Sequence, residues 1–180
     1  MTFILAQIFG LLATTFNIIG VQSKKKKQIL IFFIISNLCF AINFIFLKSY
    51  TGAIINFIAA IQTFINYQYE RKEKTLPNYL ITIYLATVIT CGVAFYRQVI
   101  DILPIVCSVL YTLTIVQKKE KNIRSLTLIT TILWLIYDFI VGAYTAAISN
   151  IIFGISNLIA IFKYDIKGKR KKRKRRNGGK

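Results

Sequence analysis

Long apolar stretches separated by short polar connections dominate the chain. Seven of them have 17 or more residues, and a helix needs at least about 17 residues to cross the hydrocarbon core of a bilayer. Because the apolar residues are continuous rather than alternating, the stretches predict helices and not the strands of a barrel. The predicted spans are approximately Phe3–Gln22, Gln28–Leu47, Thr51–Gln68, Tyr79–Tyr96, Asp101–Gln117, Ser125–Val141 and Tyr144–Phe162.

The composition favours a membrane protein over a soluble domain. Hydrophobic residues make up 56% of the 180 residues without glycine, against about 45–50% with glycine included in soluble domains. The chain has no histidine and only six acidic residues, which disfavours acid–base triads, two-carboxylate hydrolases and zinc sites. Its cysteines, Cys39, Cys91 and Cys107, lie in apolar stretches without a CxxC spacing. We therefore predict no catalytic residue, metal site or cofactor, and expect that the protein is not an enzyme.

The positive charge is sorted between the two ends of the predicted helices. The formal net charge is +18, with 24 lysines and arginines. Of these, 22 fall in alternate connections and in the C-terminal segment, whereas only Lys48 and Arg97 fall on the other side. By the positive-inside rule the larger group is cytoplasmic. This predicts an outside N-terminus, a cytoplasmic C-terminus and an odd number of spans.

The end of the chain is strongly basic. Ten of the lysines and arginines lie between Ile166 and Lys180, and such a self-repelling segment is expected to be disordered. Basic runs bind phosphate non-specifically, so nucleic acid is one alternative partner. We favour anionic lipid headgroups, because the tail follows a helix that ends at the membrane surface, where each basic residue contributes about 1 kcal/mol.

Two segments of the chain repeat one another. Residues 21–45 align with residues 116–140 at an offset of 95, and after a gap of one residue Asn56 aligns with Asn150. A matched VQ pair, basic connection and YT pair, in order, are more than aligned apolar helices alone would give.

This repeat predicts an all-α polytopic membrane protein of seven transmembrane helices, as two parallel three-helix repeats joined by a linker helix (3+1+3). The predicted units are a first repeat over 1–72, the linker helix in 73–98, a second repeat over 99–165 and the tail over 166–180.

The first helix of each repeat ends in a short shared motif, GVQSKKKK in one and IVQKKEKN in the other. This pattern resembles the SWEET and SemiSWEET sugar transporters, the PQ-loop superfamily, in which Pro-Gln precedes a basic cytoplasmic loop. Here Gln22 and Gln117 match, and valine replaces both prolines. The stretches QSKKKKQIL and FAINFIFLKSYTGAIINFIAAIQ look more closely like the YgjV-type family of bacterial inner-membrane proteins. This resemblance covers about residues 1–165 and implies the inner membrane as the location.

The superfamily resemblance also implies a pocket residue in the second helix of each repeat and an asparagine in the third. The matching residues are Trp134 with Asn150 and Cys39 with Asn56. Trp134 and Asn150 each lie eight residues from Gly142. At about 1.5 Å per residue, both would lie about 12 Å from that turn, near the middle of a ~30 Å hydrocarbon core. A midplane site between repeats is usual in transporters.

Further polar residues are candidates for a gate or a polar lining. Gln22 and Gln117 would either cap helices or line a gate. Asp138 is the only acid well within a predicted span, which suggests a functional role such as proton coupling, although its repeat partner Asn43 cannot titrate. Other polar residues are expected to face the interior of the bundle: Asn17, Ser36, Asn37, Gln62, Asn66 and Asn157.

These residues suit an uncharged ligand, because amides both donate and accept hydrogen bonds. We predict a transporter of a small uncharged polar solute, sugar-like or nucleoside-like, that works by alternating access. The alternative is a non-transporting membrane scaffold or assembly protein, in which the asparagines only join helices. The missing prolines favour this alternative. The sequence leaves the substrate, the energy coupling and the oligomeric state open.

Overall fold

A computed structural model of the chain describes residues 2–47, 50–94, 96, 99–140 and 144–167. Over these residues the secondary structure is helical and includes no strand. A 3-10 turn (Val99–Asp101) precedes the fifth helix and a π-helical segment (Ile161–Ile166) continues the seventh. The α-helices are α1 (Thr2–Gln22), α2 (Lys26–Phe46), α3 (Tyr50–Arg71), α4 (Asn78–Ala94), α5 (Ile102–Ile115), α6 (Glu120–Ile140) and α7 (Tyr144–Ala160).

The predicted all-helical class is confirmed, and each predicted span corresponds to one helix. Among the described residues, four segments are long and apolar enough to cross a membrane: Phe3–Gln22, Lys26–Phe46, Glu120–Ile140 and Ala146–Ile166. The apolar segments Asn78–Ala94 and Val99–Ile115 are shorter. For α3, α4 and α5 a membrane crossing stays a prediction, as do the orientation and the 3+1+3 arrangement.

The helices pack mainly against their neighbours in the chain. Helix α2 packs between α1 and α3, and α6 packs in the same way between α5 and α7. Helix α1 also packs against α7, α3 contacts α5, and α4 lies mainly against α5. The first three helices and the last three therefore meet along two edges.

The apolar core lies at one end of the bundle. We name this the basic end, because it carries the lysine-rich connections α1–α2, α3–α4 and α5–α6. Most core residues lie in the first or last two turns of their helices. Gly20 allows α1 to approach α2 here, since a Cβ at this position would lie 3.0 Å from the Phe33 ring. The core consists of Val21, Ile29, Leu30, Phe33, Ile115, Ile123 and Phe153.

Polar and apolar side chains are distributed as in a lipid-surrounded bundle. Large apolar residues lie on outer faces, such as Leu11, which is 65% exposed, and Ile148, which is 58% exposed. Polar residues such as Thr63 and Asn157 are fully buried. In water such apolar faces would be costly. In a bilayer, lipid covers the apolar faces while polar groups pair in the interior.

Candidate functional site

A cavity of about 190 Å³ lies between α3, α4 and α5. Its lining is mainly apolar, and it extends from the end opposite the basic end to about the middle of these helices. Gly92 brings α4 close to α5 beside it, because a Cβ there would lie 2.7 Å from Ile105 Cγ1. The polar residues of the lining are Gln62, Thr87, Cys91, Asp101 and Ser108.

Gln62 joins the three helices around this α3–α4–α5 cavity and is 4% exposed. Its Oε1 accepts a hydrogen bond from Thr112 Oγ1 at 3.3 Å, and its Nε2 donates to the Tyr84 carbonyl at 3.5 Å. The Tyr84 hydroxyl donates in turn to the Gln62 carbonyl at 3.4 Å. One amide therefore lines the cavity and connects α3 with α4 and α5.

A second polar cluster joins the first three helices to α5. Asn37 Nδ2 on α2 donates to the Tyr111 hydroxyl at 2.5 Å, and Thr63 Oγ1 on α3 lies 2.7 Å from the same oxygen. The structure buries Asn37 and Gln62, as the sequence suggests. The sequence pattern did not predict interior roles for Tyr111, Thr63 and Thr112. Hydroxyl residues inside an apolar span were the available signal for them.

In the part of the chain that the structure describes, the most buried charged residue is Arg124, which is 1% exposed. Its predicted place was the basic connection before the sixth span, which begins at Ser125. This prediction is wrong, because Arg124 lies inside α6. Its guanidinium donates to the carbonyls of Val21 at 2.9 Å and Ser23 at 2.7 Å, and to Asp165 Oδ1 at 2.8 Å. The last carbonyls of a helix have no partner within that helix. Arg124 thus donates to backbone carbonyls at the end of α1 and just beyond it.

The π-helical segment that follows α7 completes this Arg124 cluster. Tyr164, in the π-helical segment, has the guanidinium carbon of Arg124 5.2 Å from its ring centroid and Lys24 Nζ at 5.8 Å. Asn157 Nδ2 donates to the Arg124 carbonyl at 2.9 Å. Asp165 Oδ2 is buried without a hydrogen-bond partner. The cluster joins α1, α6 and α7 at the basic end.

Two of the residues predicted as a midplane site, Trp134 and Asn150, lie on α6 and α7. Asn150 Nδ2 donates to Asp138 Oδ2 at 2.7 Å, so the structure brings these two together. Trp134 is half-buried and lies edge-to-face on Tyr137, with ring centroids 5.6 Å apart. The α3–α4–α5 cavity is lined by none of the residues Trp134, Tyr137, Asp138 and Asn150.

The corresponding residues of the first repeat are also placed in the interior. Asn43, which is 8% exposed, donates to the Ala6 carbonyl of α1 at 2.5 Å. Cys39 is buried on α2 and Asn56 is half-buried on α3. Neither lines the α3–α4–α5 cavity. Solute binding by Asn56, Asn150, Trp134 and Cys39 stays a prediction.

The two repeat glutamines have different environments. Gln22 Nε2 donates to the Ser156 carbonyl at 2.8 Å and lies 3.1 Å from its hydroxyl, so it joins α1 to α7. Gln117 donates to the Leu113 carbonyl at 3.0 Å and accepts from Asn122 at 3.2 Å, which is a capping arrangement for α5. Lys48, Arg97, Gly142 and the tail from 168 to 180 lie outside the described residues.

Apolar outer faces, a polar interior and four segments of membrane-spanning length define an integral membrane protein of the helical class. The chain belongs to the YgjV family of bacterial inner membrane proteins, whose family model matches residues 4–167. No curated protein and no solved structure matches the chain. The predicted family and the inner-membrane location are confirmed, whereas the relationship to the SWEET and SemiSWEET transporters stays a prediction.

Proposed function

We propose that the protein transports a small uncharged polar solute across the inner membrane by alternating access, through the α3–α4–α5 cavity. The observation that carries this proposal is the contrast between the two ends of the bundle. The cavity extends away from the basic end. At the basic end, the apolar core and the Arg124 cluster fill the space between α1, α2, α6 and α7, and a separate cavity there has none of the described lining residues of the α3–α4–α5 cavity. Such a state would be one of the two that alternating access requires.

The chemistry of the cavity favours a small, weakly polar solute. Gln62 offers an amide, and Thr87 and Ser108 offer hydroxyls, among mainly apolar side chains. These groups can hydrogen-bond the hydroxyls of a sugar-like or nucleoside-like molecule, while the apolar surface packs against its ring. A volume of about 190 Å³ is below the ~300–1,000 Å³ of sites for drug-sized ligands. We therefore favour a single small molecule.

The helix contacts support a two-repeat arrangement of the transporter. In the predicted alignment α1 matches α5 and α3 matches α7. The α1–α7 and α3–α5 contacts are then equivalent to each other. Two parallel repeats related by an axis along the membrane normal would produce this pairing. Helix α4, which lies mainly against α5, takes the place of the linker.

Uptake into liposomes tests this proposal. The purified full chain would be assayed with labelled sugars, nucleosides and vitamins. Ala59→Phe places a large ring in the lining of the cavity, whereas Ala86→Phe adds the same ring at an exposed position of α4. We expect Ala59→Phe to abolish uptake and Ala86→Phe to leave it within about twofold, since surface substitutions rarely change stability by more than about 0.5 kcal/mol.

Variants of the predicted midplane residues separate the two candidate locations. If Asn56→Ala and Asn150→Ala abolish uptake while Ala59→Phe does not, the solute passes between the repeats near Trp134 instead. If the wild-type protein moves none of these solutes, the proposal fails for all three classes.

A membrane scaffold or assembly protein is the second candidate, and one observation favours it. Two interior polar side chains bond to a neighbouring helix: Asn43, a candidate for the polar lining, donates to the Ala6 carbonyl, and Ser36 donates to the Ala13 carbonyl. In this case Asn43→Ala and Asn150→Ala would lower stability and leave no transport to measure. In either role we propose that the protein is not an enzyme and that its basic tail contacts anionic lipid headgroups.

A further inference from the structure

A second cavity, of about 430 Å³, lies at the basic end. We name it the lysine cavity, because Lys26, Lys27, Lys74 and Lys118 line it together with Glu70 and Glu73. Its sides come from the start of α2, the end of α3 and the connections that follow α3 and α5. Among the described residues, it shares no lining residue with the α3–α4–α5 cavity.

One side of the lysine cavity is held in place by buried contacts. Lys26 is 7% exposed, and its Nζ lies 2.9 Å from Glu70 Oε2. The backbone N–H of Lys26 donates to Glu120 Oε1 at 3.2 Å. The charges of Lys26 and Glu70 therefore compensate each other, and the two contacts join the start of α2 to the end of α3 and the start of α6.

The other lysines are not compensated. Over the described residues, no carboxylate lies within 4.0 Å of the ammonium of Lys27, Lys74 or Lys118, and none of these lysines pairs with Glu73. Among the described lining residues, three lysines and one glutamate outside the Lys26–Glu70 pair thus leave an excess of two positive charges. Like charges around one cavity repel one another, and an anion between them would relieve that repulsion.

The backbone at the end of α3 positions Lys74. The N–H of Lys74 donates to the Tyr69 carbonyl at 3.0 Å and the N–H of Glu73 donates to the Glu70 carbonyl at 3.2 Å. These two bonds form a Schellman motif, in which Glu73 takes the left-handed conformation with φ 56°. The turn brings Lys74, Thr75 and Leu76 to the edge of the cavity. Lys74 is therefore placed by hydrogen-bonded backbone.

We propose that the lysine cavity binds a phosphate group, carried by an anionic phospholipid headgroup or by a soluble phosphate ester. Each ammonium can donate up to about three hydrogen bonds, which suits the oxygens of a phosphate. The cavity lies at the ends of membrane helices, where basic pockets between helices hold phospholipid headgroups. This inference does not depend on the proposed transport activity.

Two matched triple variants of the detergent-purified full chain test the proposal. Lys27→Gln/Lys74→Gln/Lys118→Gln removes the uncompensated charges and leaves the Lys26–Glu70 pair intact. Lys25→Gln/Lys119→Gln/Lys121→Gln removes equal charge from exposed lysines that do not line the cavity. Native mass spectrometry would compare phosphatidylglycerol with phosphatidylcholine, and thermal shift would follow inorganic phosphate and glycerol 3-phosphate.

We expect the cavity triple to weaken binding at least about tenfold, or about 1.4 kcal/mol, and the control triple to weaken it less than about threefold. Selective loss of phosphatidylglycerol identifies a lipid headgroup as the source, and selective loss of inorganic phosphate or glycerol 3-phosphate identifies a soluble ligand. Equal losses in the two triples would overturn the proposal, as would a wild-type protein that prefers none of these anions.

A gain-of-binding variant covers the case in which the cavity triple fails to fold. Glu73→Gln removes the one acidic group of the cavity without an ion pair and keeps a side chain of similar size. We expect it to strengthen anion binding about threefold, or about 0.65 kcal/mol. Unchanged or weaker binding would contradict the proposal.

Discussion

Replacement of Arg124 by methionine tests whether the Arg124 cluster stabilises the bundle. The guanidinium donates to two backbone carbonyls and to Asp165. Methionine keeps an unbranched side chain but makes none of these bonds, and it leaves the Asp165 side chain, which is 9% exposed, without its cation. Removal of one partner of a buried ion pair costs about 3–5 kcal/mol. We expect Arg124→Met to lower the free energy of unfolding by that amount.

Two further variants separate the charge from the hydrogen bonds. Arg124→Met/Asp165→Leu removes both charges of this buried pair, so it should be more stable than Arg124→Met alone. Arg124→Lys keeps the charge, but one ammonium cannot match the planar fork that reaches all three acceptors. We expect it to lose about 1–3 kcal/mol.

Equilibrium unfolding in mixed detergent–SDS micelles measures these differences, with the fluorescence of the single tryptophan, Trp134, as the signal. The exposed Lys121→Met serves as the control, with an expected change within about 0.5 kcal/mol. A loss below about 1 kcal/mol for Arg124→Met, or a double variant less stable than the single one, would refute the reasoning.

Three other substitutions test individual contacts by the same unfolding measurement. Tyr111→Phe removes the hydroxyl that Asn37 and Thr63 share. It should cost about 1–3 kcal/mol because it takes the acceptor from the buried Asn37 Nδ2, whereas Thr63 keeps its bond to the Ala59 carbonyl; no change would show that Asn37 finds another partner. Gly92→Ala places a Cβ 2.7 Å from Ile105 Cγ1, and overpacking of this kind should cost about 1–3 kcal/mol; a neutral result would mean that α4 and α5 separate easily. Glu73 has a positive φ, which glycine adopts without strain, so Glu73→Gly should stabilise the protein by about 1 kcal/mol. Glu73→Gln keeps the strain and should not stabilise it; equal effects of the two variants would show that the loss of the negative charge causes the change.

The helix boundaries were largely predictable, and the error at Arg124 shows why they were not fully so. The predicted sixth span begins at Ser125, whereas α6 begins at Glu120. An arginine reads as part of a connection when only hydropathy is considered, since its charge is costly in lipid. Its place inside α6 becomes acceptable only because Val21, Ser23 and Asp165 supply acceptors from distant parts of the chain.

The candidate site was less predictable than the helices. The sequence pattern selects Asn150 and Trp134 by repeat position, yet the α3–α4–α5 cavity is lined by Gln62 and Ser108, for which the repeat gave no signal. A cavity arises where helices of given tilt and side-chain size fail to fill the space between them. Hydropathy along the chain contains no information on that space.

The sequence by itself determined the helical class, the inner-membrane family and the ends of the helices to within a few residues. It could do so because the transfer of an apolar stretch into lipid is a local, additive property of about 20 residues. Only the tertiary structure decided which interior polar groups pair, such as Asn37 with Tyr111, 74 residues apart, and Arg124 with Asp165, 41 residues apart. These pairs depend on the rotation and depth of each helix relative to its neighbours, which side-chain packing sets and periodicity does not.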